Sequence, residues 1–350
     1  MWLFIGSDPG GINAISPIFL QMKDMGLDVH FFVPSHREAF AKAKGIQVKC
    51  LDTWIVDSIV HYDDFFQAYS PTGIITGTSA FDRIEVALWK EARSRGVKSF
   101  AVLDYWGNYA RRFLEVVEGD SFQTLGVENI KSCYPDIIFV MNDLAYTDMI
   151  KVGVPKEKML IYGNPHFEGL SALRDGSNIE KPKNIALMSE PLDALYNTRE
   201  RFGFDEYDVI AMISKWNEGD AHNNMLLLKA HPKQQIDKSK IGEQSLHLVD
   251  TDSIELIQKS DIVFGTLTTA LIEALLLGKR VCSVIPNAAF NEYSTLEKLG
   301  FKITASTPVE IDDILRKQPS ETEIKQMLGI VDKGCKNIVD KIITAVNTRC

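Results

Sequence analysis

A chain of 350 residues exceeds one comfortable hydrophobic core, so two domains of ordinary size are expected. Its composition, 45% hydrophobic and 24% charged, excludes disorder and a fibrous repeat. The net charge of -9, from 38 basic against 47 acidic side chains, disfavours a nucleic-acid groove as the main surface.

In chain order, Trp2 to Ile5 reads as a strand, followed by a Gly/Pro loop from Gly6 to Gly11. A helix is predicted from about Asn13 to Met25, ending at Gly26 as its C-cap. Val29 to Val33 is the next strand and Glu38 to Lys44 the next helix, closed by Gly45. The rhythm continues with Gly73 to Thr76 (strand), Arg83 to Arg95 (helix) and Ser99 to Leu103 (strand). Two further strands, Ile137 to Met141 and Met159 to Tyr162, flank a helix ending at Gly153. Such alternation predicts right-handed βαβ units and a parallel sheet.

Between about Phe167 and Pro182 the periodicity fades, which fits a surface linker between domains 1–168 and 183–350. A second series follows, with strands at Asn184 to Met188, Met225 to Lys229, His247 to Val249, Ile262 to Phe264 and Val281 to Val284. Helices are expected at Tyr207 to Lys215, Ile254 to Lys259 and Thr269 to Leu277. The stretch from about Glu321 to Val346 reads as helical and able to pack back across the domain junction. The expected fold is α/β, two Rossmann-like parallel-sheet domains facing a cleft at their strand carboxyl ends.

The five cysteines (Cys50, Cys133, Cys282, Cys335, Cys350) are scattered and form no C-x-x-C pair, as expected in a reducing compartment without structural zinc. The apolar start, Met1 to Ile5, is too short for a signal sequence, and no run approaches a spanning helix. A cytoplasmic location is expected.

The strongest local signal is the segment from Asp261 to Lys279. A strand ends in Gly265, and Thr268 or Thr269 stands where a helix N-cap belongs. Free N–H groups of the first turn would favour a phosphate there, with Glu273 one turn deeper, in reach of a ribose hydroxyl. The bland alternative is a plain cap with Glu273 facing solvent. In Lys229-Ala230-His231-Pro232 a strand presents His231 before a proline, beside Lys229, suited to hold a phosphate or steady a leaving group. A structural histidine is the alternative.

The loop Gly6-Ser7-Asp8-Pro9-Gly10-Gly11 lacks G-x-G-x-x-G spacing, and no Gly-Lys-Ser/Thr exists for a nucleotide P-loop. It still lets Gly10 and Gly11 approach a ligand and offers Asp8 as a base, or as a simple cap of the next helix. Asp104-Tyr105-Trp106-Gly107-Asn108 suits sugar binding, with aromatic faces for stacking and Asp104 and Asn108 for hydroxyls; the alternative is aromatic core. Glu190 ends the first strand of the second domain and could bind substrate or cap. Gly163-Asn164-Pro165 reads as a hinge, with His166 a secondary candidate. No cluster has metal-ligand spacing.

Together these pieces resemble the GT-B superfamily of glycosyltransferases, whose fold nucleotide-sugar 2-epimerases share. Lys229 to Pro232 is similar to the His-Pro motif of bacterial sialyltransferases, polysialyltransferases and teichoic-acid polymerases. The resemblance implies that His231, Thr268 and Thr269 hold the donor phosphate and that Asp8 or Asp104 is the base. The turn departs from the pattern, with Thr-Leu-Thr-Thr in place of a serine pair. What it implies is a metal-independent glycosyltransferase without cofactor, moving sugar from a nucleotide-sugar donor to a glycan or lipid-linked acceptor. Bacterial surface polysaccharide synthesis, with at most peripheral membrane association, would be the setting. A nucleotide-sugar 2-epimerase or hydrolase, and a non-catalytic nucleotide-binding module, are the alternatives; the several acids expected of a 2-epimerase are not visible in the sequence.

Overall fold

The structure is a computed structural model that describes all residues except 57, 58, 61, 81, 114–133, 175–183, 219–223, 233, 242–245 and 348–350. The chain divides into two compact units, one of Met1–Gly169 with Leu328–Cys350, the other Leu170–Met327. Of the segment read as a linker, about Phe167 to Pro182, residues 175–182 lie outside the described residues.

The first unit contains β1 (Trp2–Ile5), β2 (Val29–Val33), β3 (Val48–Cys50), β4 (Ile55–Val56), β5 (Ile59–Val60), β6 (Gly73–Thr76), β7 (Lys98–Val102), β8 (Ile137–Val140) and β9 (Met159–Ile161). Seven of these form one sheet in the order β3-β2-β1-β6-β7-β8-β9, every pairing parallel. β4 and β5 make a separate antiparallel pair. Central strands are buried on both faces, which is why they read as continuous apolar runs such as Trp-Leu-Phe-Ile. Their core joins Phe4, Phe19, Phe31, Phe100 and Phe139 with Ile338, Val339 and Ile342 of the helix Gly334–Asn347. That helix lays its apolar stripe on the helix Pro9–Asp24, whose Ile12, Ile15, Phe19 and Met22 recur at helical spacing. Each such buried side chain contributes roughly 1.5–3 kcal/mol.

The second unit contains β10 (Asn184–Met188), β11 (Met225–Lys229), β12 (Leu246–Leu248), β13 (Ile262–Gly265), β14 (Arg280–Val284) and β15 (Thr304–Ala305). They form one parallel sheet in the order β12-β11-β10-β13-β14-β15. Trp216, Phe264, Phe204 and Phe290 fill its core.

In its own strand order the second sheet therefore runs 3-2-1-4-5-6, the doubly wound arrangement, and the first runs the same way with a seventh strand, β9, added at its edge. In each, the order reverses between the first strand and its fourth, and ligands of such sheets bind outside the strand carboxyl ends there. The switch points are β1/β6 in the first unit and β10/β13 in the second.

Three expectations need correction. The first helix begins at Pro9, four residues earlier than the apolar periodicity indicates, because Asp8 caps it and Pro9 occupies the first helical position. The C-terminal stretch is two helices, Glu321–Leu328 and Gly334–Asn347. They break at Gly329, which has φ +69° and comes so close to Met141 and Asn142 that a Cβ would overlap both. Where periodicity fades, Pro165–Ala172 is helical, with Asn164 Oδ1 accepting from the His166 N–H at 2.9 Å. Among the described residues no helix is long and apolar enough to cross a membrane.

Candidate functional site

At the first switch point the loops after β1, β6 and β7 converge. Asp8 has extended backbone, and its Oδ1 accepts from the Gly11 N–H at 2.7 Å, so it caps the following helix. A hydroxyl from Ser79, in the loop after β6, also reaches it. Asp104 comes from the loop after β7. Its Oδ1 accepts from Thr78 Oγ1 at 2.9 Å and pairs with the Arg112 guanidinium at 2.5 Å. The side chains of Asp104 and Arg112 are only 9% and 6% exposed. Arg112 is pinned further by the carbonyl oxygens of Gly107 and Thr78. The other Asp104 oxygen lies against Gly10, where a Cβ would overlap it.

The two aspartates therefore differ in their surroundings. Asp104 has a buried countercharge, whereas Asp8 has a cap amide and a hydroxyl. Burial first and the Asp104 charge second push Asp8 up to about 6, against the Gly11 N–H, Arg112 and Ser79. A carboxyl that titrates near neutrality can take a proton and give it back, as general acid–base chemistry requires.

Sequence reasoning missed Thr78, Ser79 and Arg112, since only the sheet order brings β6 beside β1. Two residues expected to touch an acceptor do not present themselves. Trp106 is 5% exposed, stacked on Phe167 with centroids 5.8 Å apart, and its Nε1 donates to Asn142 Oδ1 at 2.9 Å. Its ring belongs to the core. Gly11 is buried against the Gly77 backbone, so its missing side chain serves packing. Gly10 and Tyr105 are half-buried, and Asn108 is exposed with φ +55°.

At the second switch point stand the ends of β10 and β13. The turn after β13 does gather backbone N–H groups, and the anion on them is internal. Glu190 Oε2 accepts from the Leu267 N–H at 2.8 Å, and the Thr268 N–H also reaches it. Burial nevertheless pushes Glu190 up to about 7. Gly265 gives Thr268 room, since a Cβ there would lie 2.7 Å from Thr268 Cγ2 and one of the two would have to shift. Thr269 occupies the N-cap position in helical conformation and makes no side-chain cap; Thr268 Oγ1 instead accepts from the Ala270 N–H at 3.3 Å. Glu273 is 9% exposed, buried with the rest of the helix Ala270–Leu276.

Lys229 and His231 are half-buried at the end of β11. The His231 N–H donates to Gln234 Oε1 and Gln234 Nε2 to the Glu190 carbonyl oxygen, both at 3.3 Å. Gln234 thus ties the His231 loop to the Glu190 loop, a link that three-residue spacing alone does not reveal. Among the described residues no group of three or more His, Cys, Asp or Glu side chains could hold a metal ion.

No protein-family model matches the chain, and no curated protein sequence matches it. Solved structures do. A UDP-GlcNAc 2-epimerase from Methanocaldococcus jannaschii aligns with TM-score 0.65 at 11% identity over 98% of this chain and 99% of its own. One from Neisseria meningitidis, bound to UDP-GlcNAc, aligns with TM-score 0.63 at 12% identity over the same shares. The glycotransferase of kitacinnamycin aligns with TM-score 0.57 at 12% identity over 98% of both chains. The fold is GT-B-like, two parallel-sheet α/β units of the kind these enzymes share.

Proposed function

We propose that this chain is a UDP-sugar enzyme whose second unit holds the nucleotide at the β10/β13 switch point and whose first unit moves a proton through Asp8. The observation that carries the reading is the pairing of Asp8, held near 6, with Asp104 at the first unit's switch point. Support for the nucleotide comes from fold neighbours bound to UDP-GlcNAc or UDP. A phosphate on the Leu267 and Thr268 amides takes the place that Glu190 fills, with Lys229 and His231 at the end of the adjoining strand β11.

Of the two reactions weighed from the sequence, 2-epimerisation is favoured over glycosyl transfer. Inverting C2 takes a proton from one face, its C–H electron pair forming a C1–C2 double bond as the UDP oxygen leaves C1 with the C–O pair; re-addition of UDP at C1 then returns a proton to C2 from the other face. The acids that the linear sequence scatters are neighbours in the fold: Asp8 supplies the group that exchanges a proton, and Asp104, paired with Arg112, sits beside it. Glycosyl transfer of the His-Pro type is the second reading, favoured by one observation. Arg112 and Thr78 already bind Asp104, leaving Asp8 as a lone base for an acceptor hydroxyl.

Incubation with UDP-GlcNAc and no acceptor separates them. Conversion to an isomeric sugar nucleotide by the wild type and its loss in Asp8→Asn support epimerisation. Turnover that starts only when an acceptor is added supports transfer. No UDP-induced rise in melting temperature and no turnover under either condition would sink both.

A further inference from the structure

Beneath the Asp8 loop lies a third acid. Glu85 is the second residue of the helix Ile84–Ser94 and is 1% exposed. Its Oε1 accepts from Ser7 Oγ at 2.5 Å and from the Ser7 N–H at 3.2 Å. Its Oε2 is buried and has no hydrogen-bond partner among the described residues. The charged groups that act on it most strongly are Asp8, from the loop after β1, and Asp82, just before its own helix; both are acids. A carboxylate with one bare buried oxygen and two acidic neighbours has hydrogen bonds from Ser7 and its own backbone N–H to set against its desolvation, and burial outweighs them, whereas a protonated carboxyl needs no countercharge.

We propose that Glu85 is a positioning residue for Asp8: a neutral acid that holds Ser7, and whose ionisation disables the site at alkaline pH. Both polar groups of Ser7 converge on one Glu85 oxygen, so the residue directly before Asp8 is fixed from below. Losing the Glu85 proton places a charge under Asp8 and raises the free energy of the loop that aims it. Burial, then Asp8, push the Glu85 carboxyl up to about 8, which locates the transition just above neutrality. The site then works in a window bounded by Asp8 ionisation below and Glu85 ionisation above. This inference rests on the reading of Asp8 as the base.

Two measurements test it. The first is the pH profile of UDP-GlcNAc turnover for wild type, Glu85→Gln and Glu85→Ala over roughly pH 5–10. The wild type is expected to lose activity above about 8. Glu85→Gln keeps an acceptor for Ser7 but cannot ionise, so its alkaline limb, normalised to its own maximum, moves up by about one unit or more. Glu85→Ala leaves Ser7 unheld and falls about tenfold at all pH values. A wild-type alkaline limb that stays in place in Glu85→Gln overturns the proposal.

The second is ligand-free thermal unfolding of wild type and Glu85→Gln over the same range. Because the folded-state pKa is raised above the unfolded 4.5, the wild type loses stability relative to Gln as pH rises from 4.5 to about 8. Above that window the gap is level. A gap that does not open overturns the neutral acid. Absence of turnover in every protein would end the Asp8 reading, while the ligand-free gap would still decide the state of Glu85.

Discussion

The Glu190 carboxylate sits 2.8 Å from the Leu267 backbone N–H, so the anion seat of the turn after β13 is filled by the protein itself. Such a seat is pre-formed but occupied. A ligand phosphate gains those amides only as Glu190 withdraws or takes up a proton.

Glu190→Gln should therefore tighten UDP-GlcNAc binding, by several-fold, and remove its pH dependence near neutrality. In the wild type, affinity should rise as pH falls through about 7, where Glu190 takes up its proton. The same shift acts on stability. The folded pKa is raised above the unfolded 4.5, so the Glu190 contribution is fully present below 4.5 and is lost as pH rises to about 7. Calorimetric titration at several pH values checks the first expectation, and pH-dependent melting of the two proteins the second.

The two threonines of the turn should behave differently. Thr268 Oγ1 accepts from the Ala270 N–H, so Thr268→Ala is expected to cost ~1 kcal/mol. Thr269 makes no cap, and Thr269→Ala should stay within about 0.5 kcal/mol of wild type. Urea denaturation of both variants distinguishes them, and equal losses would contradict the assigned cap.

Arg112→Leu leaves the Asp104 carboxylate buried without its countercharge and should cost about 3–5 kcal/mol. Replacing Asp104 by Asn in the same background removes the stranded charge and should recover part of that loss. A double-mutant cycle in urea measures the coupling.

Much of the fold was legible in the amino-acid pattern, because buried parallel strands are continuous apolar runs and the glycines after helices mark their ends. Gly26, Gly96 and Gly153 all have positive φ directly beyond helices read from the sequence. The site was legible only in pieces. Asp8, Asp104, Glu190 and the turn at Gly265 stand out as polar residues at strand ends. Their partners do not: Arg112 looks like a surface residue of a short helix, and Glu85 like an ordinary acid of a first helical turn. Only the reversal of strand order at β1/β6 brings the Asp8, Ser79 and Asp104 loops together. Trp106 misled for a related reason, since an aromatic after a strand has the same pattern whether it meets a sugar or Phe167.

Asp8 also predicts the acid side of the activity profile. A base must be ionised to accept a proton, so turnover should fall as pH drops through about 6, where Asp8 is held. Asp8→Asn should lose on the order of 10²–10⁴-fold in rate and with it that acid limb. A profile of wild type and variant across neutral pH checks both.

The most direct measurement is proton exchange at the sugar itself. UDP-GlcNAc incubated with the protein in D2O, without acceptor, is followed by proton NMR at C2. Deuterium entering C2 together with the epimeric sugar nucleotide, in the wild type and not in Asp8→Asn, is the predicted result. A wild type that binds UDP-GlcNAc yet leaves the C2 proton in place would contradict proton transfer at C2 by Asp8.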